Sequence, residues 1–326
     1  MIEETHGFGD TPAVIVRTPT GLDDDPTGID DDPTLIGRSV SATDSEAHPV
    51  VADETPMRAG VPKRFRLLLE YDGTDFLGWQ LQARGRTVQG EIEAALHRLF
   101  RATVRVHGAG RTDSGVHASG QVAHFELVTR LDASTMGKAL NAEVPADIAV
   151  RDVCEVDTEF HARYSASSRS YEYTIVGRRI AIDRRRMWAL HTPLDHQAIR
   201  EAMTVLRGTH DFRAFAKHVP GMPHHYCHVF SASWDTDDDI ARFRITANRF
   251  LQGMVRCLVG SLVHVGRHRI TPAQFHDILT SRDRARAPML APAHGLVLTR
   301  VAYDAEERAV VEAIMVGLRA LSDHSE

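Results

Sequence analysis

Apolar and polar residues alternate from Arg64 to Tyr71, with Phe65, Leu67 and Leu69 on one face, so this stretch is a predicted strand. After it the period lengthens. Thr87 can cap a helix whose Val88, Ile92, Leu96 and Leu99 fall on one stripe. A short strand is predicted at Val104–Val106, a second at Gln121–Leu127, and a helix from Asp132 to about Asn141, ahead of Pro145. Strand pattern returns near Ile148–Val156. A second cycle repeats the plan. It predicts a strand at Arg169–Val176 and a helix capped by Asp195, carrying Ile199, Met203 and Leu206 and stopped by Gly208. Strands near Phe230–Asp235 and Arg242–Ala247 flank an Asp237-Asp238-Asp239 turn. A long helix from Leu251 to Val265 ends at Gly266, and Thr271-Pro272 opens another. Leu296–Tyr303 is predicted to close the sheet, and Ala305–Leu321 to form a final amphipathic helix. Strand–helix–strand–strand cycles, repeated, predict a duplicated α+β architecture.

Residues 1 to about 60 break this pattern. They hold Asp23-Asp24-Asp25-Pro26 and Asp30-Asp31-Asp32-Pro33 among Thr, Ser and Gly, with no sustained period, and read as a disordered acidic tail. The whole-chain charge of −6 therefore divides into −10 for residues 1–60 and +4 for the rest. The body is weakly basic, which permits a nucleic-acid partner without requiring one. No apolar run approaches the roughly 20 residues that span a bilayer, and no secretory signal is visible. Three widely spaced cysteines, Cys154, Cys227 and Cys257, argue against a disulfide framework and for a reducing cytoplasm.

The chemistry concentrates in Gly108-Ala109-Gly110-Arg111-Thr112-Asp113-Ser114-Gly115-Val116-His117. Glycines at 108, 110 and 115 are expected to free the backbone for positive φ and to let another molecule approach. Arg111 supplies a planar fork of donors suited to phosphates and carboxylates. An acid on such a loop, beside an arginine, is a candidate nucleophile. It equally suits an Asx-type turn in which Asp113 only accepts backbone amides, and the run alone leaves both readings open. Strand alternation puts Tyr171 and Tyr173 on one face, so it does not choose between them.

The run continues as Ala118-Ser119-Gly120-Gln121-Val122-Ala123-His124-Phe125, and here it resembles the catalytic segment of the tRNA pseudouridine synthase A family. Further similar segments lie in order on both sides: Glu70-Tyr71-Asp72-Gly73-Thr74, Gly78-Trp79-Gln80-Leu81-Gln82, Phe160-His161-Ala162-Arg163-Tyr164-Ser165-Ala166, Tyr171-Glu172-Tyr173 and Met254-Val255-Arg256. The resemblance covers roughly residues 63 to 304. It implies two similar halves, 61–167 (the N-terminal catalytic subdomain) and 168–326 (the C-terminal one with the final helix), sharing an extended, mostly antiparallel sheet with a cleft between them. It also implies isomerisation of uridine to pseudouridine at positions 38, 39 and 40 of the tRNA anticodon stem-loop, by a cytoplasmic homodimer that needs no metal or other cofactor.

Residue by residue, the resemblance assigns Asp113 as the catalytic aspartate, adding to the base or sugar or assisting loss of the 2′ proton. Arg256 is implied to pair with it. Tyr171 is implied to stack on the uracil and to accept a proton from C5. Arg111 is implied to fill the gap left by an extruded base, and Leu296 to lie against the pocket. Gln252-Gly253 departs from the bulky or basic pair often found before Met-Val-Arg, which puts local RNA contacts in doubt. The basic groups Arg178-Arg179, Arg184-Arg185-Arg186 and Arg282/Arg284/Arg286 could track phosphates or simply be solvated. Two rival readings remain. Related synthases with the same Arg-Thr-Asp core act on other RNA uridines. His224-His225-Tyr226-Cys227-His228 invites a metal-dependent hydrolase, although no Cys-x-x-Cys or His-Glu-x-x-His spacing accompanies it.

Overall fold

Alternating strands and amphipathic helices with clear caps build one large sheet and its covering helices. The computed structural model describes residues 62–219, 221 and 224–323. The acidic tail lies outside them. The elements run β1 (Pro62–Tyr71), α1 (Val88–Phe100), β2 (His107–Gly108), β3 (His117–Val128), α2 (Ala133–Glu143), β4 (Ile148–Val156), β5 (Ser168–Val176), β6 (Trp188–Ala189), α3 (His196–Met203), β7 (Gly208–Asp211), β8 (Tyr226–Asp237), β9 (Ile240–Ala247), α4 (Met254–Gly266), α5 (Pro272–Ser281), β10 (Leu296–Ala302) and α6 (Ala305–Asp323). Side chains on the predicted caps close the helix starts. Thr87 accepts from the Gly90 amide, Asp132 from Thr135, Asp195 from Gln197 and Ala198, and Thr271 forms a reciprocal box with Gln274.

The sheet order is β4-β1-β3-β10-β5-β9-β8-β7, with β2 on β3 and β6 on β5. Nearly all neighbours are antiparallel, as the α+β expectation required; the exceptions are β3–β10 and β5–β6. Phe65, Leu67 and Leu69 are fully buried, as the alternation demanded. Helices α1 and α2 pack together with α2 against β4, while α3, α4 and α5 pack on one another and α3 on β8.

Two expectations about strands are corrected. Val104–Val106 is not in the ladder: the Val106 amide donates to Glu93 Oε1 at 2.9 Å, and pairing begins only at His107 and Gly108, opposite His124 and Ala123. β10 does not close the sheet at an edge. It lies at the centre, parallel to β3 at Val297–His117 and Leu298–Ala118 and antiparallel to β5. Alternation fixes which face a residue occupies, not which strand lies beside it. β10 thus bridges β3 and β5, and the glycine-rich loop leads into β3 beside that seam.

Candidate active site

The Asp113 loop is held by its backbone from several sides. The Ala109 amide donates to Val122 O at 2.7 Å, and Trp79 N donates to Thr112 O at 3.1 Å. Gly115 N and Ser114 Oγ both donate to Phe76 O, at 3.3 and 3.2 Å. From beneath, buried Gln121 donates to Gly110 O at 2.7 Å, and the Tyr71 hydroxyl lies 2.9 Å from Thr112 Oγ1. Burial pushes the Tyr71 phenol up to about 12, so it stays protonated in this bond. Gly78, at φ 99°, lets its own loop touch the Asp113 loop: a Cβ there would stand 2.5 Å from Thr112 O.

Glycine acts differently in the loop than the sequence suggested. Only Gly115 has positive φ, at 76°; Gly108 and Gly110 do not. Gly108 is needed for close packing instead, because a Cβ would meet the Trp79 ring at 2.4 Å.

Three of the five singled-out side chains converge. The Asp113 side chain is 28% exposed, and Arg256, from the first turn of α4, places Nη1 3.5 Å from its Oδ2. Arg256 is itself fixed by a bond from Nε to Ala291 O at 2.8 Å. It is therefore not a solvated residue on an outer helix face. Tyr171, on β5, is 8% exposed, and Asp113 is among the charges that act on its hydroxyl. Burial first, then neighbouring Tyr71, pushes the Tyr171 phenol well above its usual range, so it stays neutral. Tyr171 packs edge-on against Phe250 at 5.0 Å. Tyr173 shares its face but is a core residue: fully buried, it packs on Trp188 and donates to Pro292 O at 2.8 Å.

Leu296 is buried at the start of β10, opposite Tyr173, behind the turn whose Ala293 methyl approaches Gly115. Arg111 is exposed on the loop and makes no bond to Asp113 or Arg256 among the described residues. Of the basic groups, Arg178 pairs with Asp239, Arg282 with Asp211 and Arg185 with Asp75, and the 184–186 segment also reaches the Asp113 loop. There His117 accepts from Gly73 N at 3.0 Å and bonds Arg185 O at 2.7 Å.

Sequence reasoning missed Arg169. It is 8% exposed, yet its guanidinium bonds only carbonyls: Ala109 at 3.0 Å, Asn248 at 2.8 Å, Arg163 at 2.6 Å and Ala166 at 3.2 Å. It ties the root of the Asp113 loop to β5 and to the end of β9. The available signal was an arginine two residues before Tyr171, hence on the same inward face of β5.

Among the described residues, no group of three or more His, Cys, Asp or Glu is placed to hold a metal ion, the His224–His228 segment included. No described helix is long and apolar enough to cross a membrane.

A carboxylate, the guanidinium paired with it and a buried tyrosine thus lie together where β3, β10 and β5 meet. The family described as tRNA pseudouridine synthase matches residues 68–165 and 202–304, and the chain belongs to that family. Relatives named tRNA pseudouridine synthase A agree over most of the body. The one from Chloroflexus aurantiacus is 44% identical over 244 residues, covering 73% of this chain and 87% of that protein. Those from Moorella thermoacetica and Geobacillus kaustophilus are 43% and 40% identical, covering 73% and 78% of this chain and 98% and 99% of theirs.

Proposed function

We propose that this protein isomerises uridine to pseudouridine in tRNA, at positions 38, 39 and 40 of the anticodon stem-loop, with Asp113 as the catalytic carboxylate. The observation that carries the reading is the Asp113–Arg256 pair beside Tyr171, on a loop fixed at the seam of the two half-sheets. The reaction breaks N1–C1′, turns the base and forms C5–C1′; C5 loses a proton and N1 gains one. No atoms or electrons are gained, so a carboxylate, a dry pocket and a grip on the detached ring suffice.

Each residue has a part in this reading. Arg256 orients Asp113 through a bond that Ala291 O holds in place. The Tyr171 ring stacks on the uracil, with Phe250 fixing its plane and buried Leu296 closing the apolar floor. Exposed Arg111 occupies the space a flipped base leaves, and the 184–186 arginines meet phosphates. The halves 61–167 and 168–326 hold the cleft between them.

The protein works as a homodimer in the cytoplasm. Its three cysteines are all free, which fits a reducing compartment. On α6, Val310 and Val316 are exposed and Val311 and Ile314 only partly covered, leaving apolar surface for a partner; the Leu318 side chain lies outside the described residues.

The test is to incubate the purified protein with unmodified tRNA and map pseudouridine by sequence position. Product at 38, 39 or 40 is expected. Pseudouridine confined to other sites, or found only in other RNAs, would assign the chain a different target.

A further inference from the structure

Most aromatic side chains of this protein lie inside it; Tyr164 does not. It is 73% exposed and is the single aromatic ring among the large apolar side chains exposed in the described residues. Its mounting is rigid. Tyr164 lies 4.3 Å from the His161 ring at 33°, and the Arg163 guanidinium is 5.8 Å from the Tyr164 centroid. His161 Nδ1 accepts the amides of both Arg163 and Tyr164, at 3.1 and 3.3 Å. The turn closes with His161 N donating to Ser165 Oγ at 2.9 Å and Ser165 N to His161 O at 2.9 Å. Behind His161 stand His124 at 4.6 Å and His107 at 5.6 Å. The tyrosine thus leans on His161, which meets His124 of β3 edge-on, and at 73% exposure most of its ring is left accessible.

This turn is tied to the Asp113 loop. Arg169 Nη2 bonds Arg163 O and Ala109 O at once, at 2.6 and 3.0 Å, and Ala109 lies four residues before Asp113. An exposed ring tied through Arg169 to the loop that carries Asp113, with a guanidinium 5.8 Å from its centroid, suits a flat π-system that carries negative charge alongside it. An unstacked nucleobase with its phosphate has that chemistry. An apolar protein segment would gain nothing from the adjacent Arg163.

We infer that Tyr164, supported by His161 and neighboured by Arg163, is a stacking platform for a non-reacting nucleobase of the RNA whose target nucleotide binds at Asp113. The inference rests on the reading of this protein as an enzyme acting on tRNA. The platform contributes binding and register, not chemistry. Because stacking uses the ring and not the hydroxyl, Tyr164→Phe retains it and Tyr164→Ala abolishes it. Both leave the fold intact, since the side chain fills no core.

The test titrates anticodon stem-loop RNAs carrying 2-aminopurine at successive non-reacting loop positions. Three proteins are compared in an Asp113→Asn background: the parent, Tyr164→Phe and Tyr164→Ala. The expected result is quenching at one position with the parent and Tyr164→Phe. Tyr164→Ala loses that quenching and binds about tenfold more weakly, with unchanged melting temperature. Equal affinity and equal quenching in all three would overturn the platform while leaving the tRNA reading intact. A change in sedimentation without a change in RNA affinity would overturn it too, and would assign the surface to a second copy of the chain. If the parent fails to bind tRNA at all, the underlying reading falls and the platform with it.

Discussion

The role proposed for Asp113 depends on what surrounds it more than on its own type. Partly exposed, it sits at the end of an arginine that a backbone carbonyl holds still, and the loop beneath it has little freedom to move. The histidines behind the Tyr164 turn show the opposite use of a titratable group. His124 is buried and crowded by His161 and His107; desolvation, then those two rings, depress it from 6.5 to about 4. The folded protein therefore keeps this ring neutral where the unfolded chain takes up a proton. Stability from His124 is full above about pH 6.5 and falls as pH drops toward 4. Melting temperatures measured across that window should decline, and His124→Asn, which retains an acceptor for the Ala162 amide, should decline less steeply. His161, also depressed by burial, keeps some slope in the variant. Identical slopes would show that His124 is not the titrating group.

At the scale of elements, the site is made by loops pressed together without side chains between them. A Cβ on Gly78 meets Thr112 O at 2.5 Å, and the residue's φ of 99° strains any L side chain. Gly78→Ala is predicted to destabilise the protein by more than about 1 kcal/mol. It should also lower kcat more than tRNA affinity, because the displaced strip is the one that carries Asp113. Denaturant melts and steady-state kinetics on the same preparation check both, and wild-type kcat would contradict the coupling. Such contacts explain what the sequence could and could not disclose. Caps at Thr87, Asp132, Asp195 and Thr271 announce themselves locally, and so does the Phe65-Leu67-Leu69 face. The place of β10 was hidden, because pairing between residues far apart in the chain leaves no periodic trace. Arg256 was visible only through family resemblance; its helix is apolar nearly all round, and nothing in its spacing points at Asp113. Arg169 was missed because its partners are carbonyls, which every residue has. Gly108 was misjudged because its reason, the Trp79 ring, lies 29 positions upstream.

For the molecule as a whole, charge is distributed against its own average. The body carries +4 and residues 1–60 carry −10, so a polyanion meets an attractive surface and a repelling tail. Binding of tRNA is expected to weaken steeply with salt, as phosphate contacts release counterions, and to ignore EDTA. Removing residues 1–60 should tighten binding at low salt and leave the melting temperature nearly unchanged. Filter binding over a salt series, with both proteins, measures the two effects together. Weaker binding after the deletion, or activity lost to EDTA and restored by zinc, would contradict this account of the surface and revive a metal-dependent one.

The account stands or falls on Asp113. Uridine loses its C5 hydrogen as pseudouridine forms, so tRNA tritiated at C5 of its uridines reports the chemistry directly, as tritium released to water. Under single-turnover conditions with enzyme in excess, the wild-type protein should release label, and Asp113→Asn should bind the same tRNA yet release it several orders of magnitude more slowly. The change is nearly isosteric, but a carboxamide cannot act as an anionic nucleophile. Release by Asp113→Asn within about tenfold of wild type, at equal tRNA occupancy, would contradict the assignment.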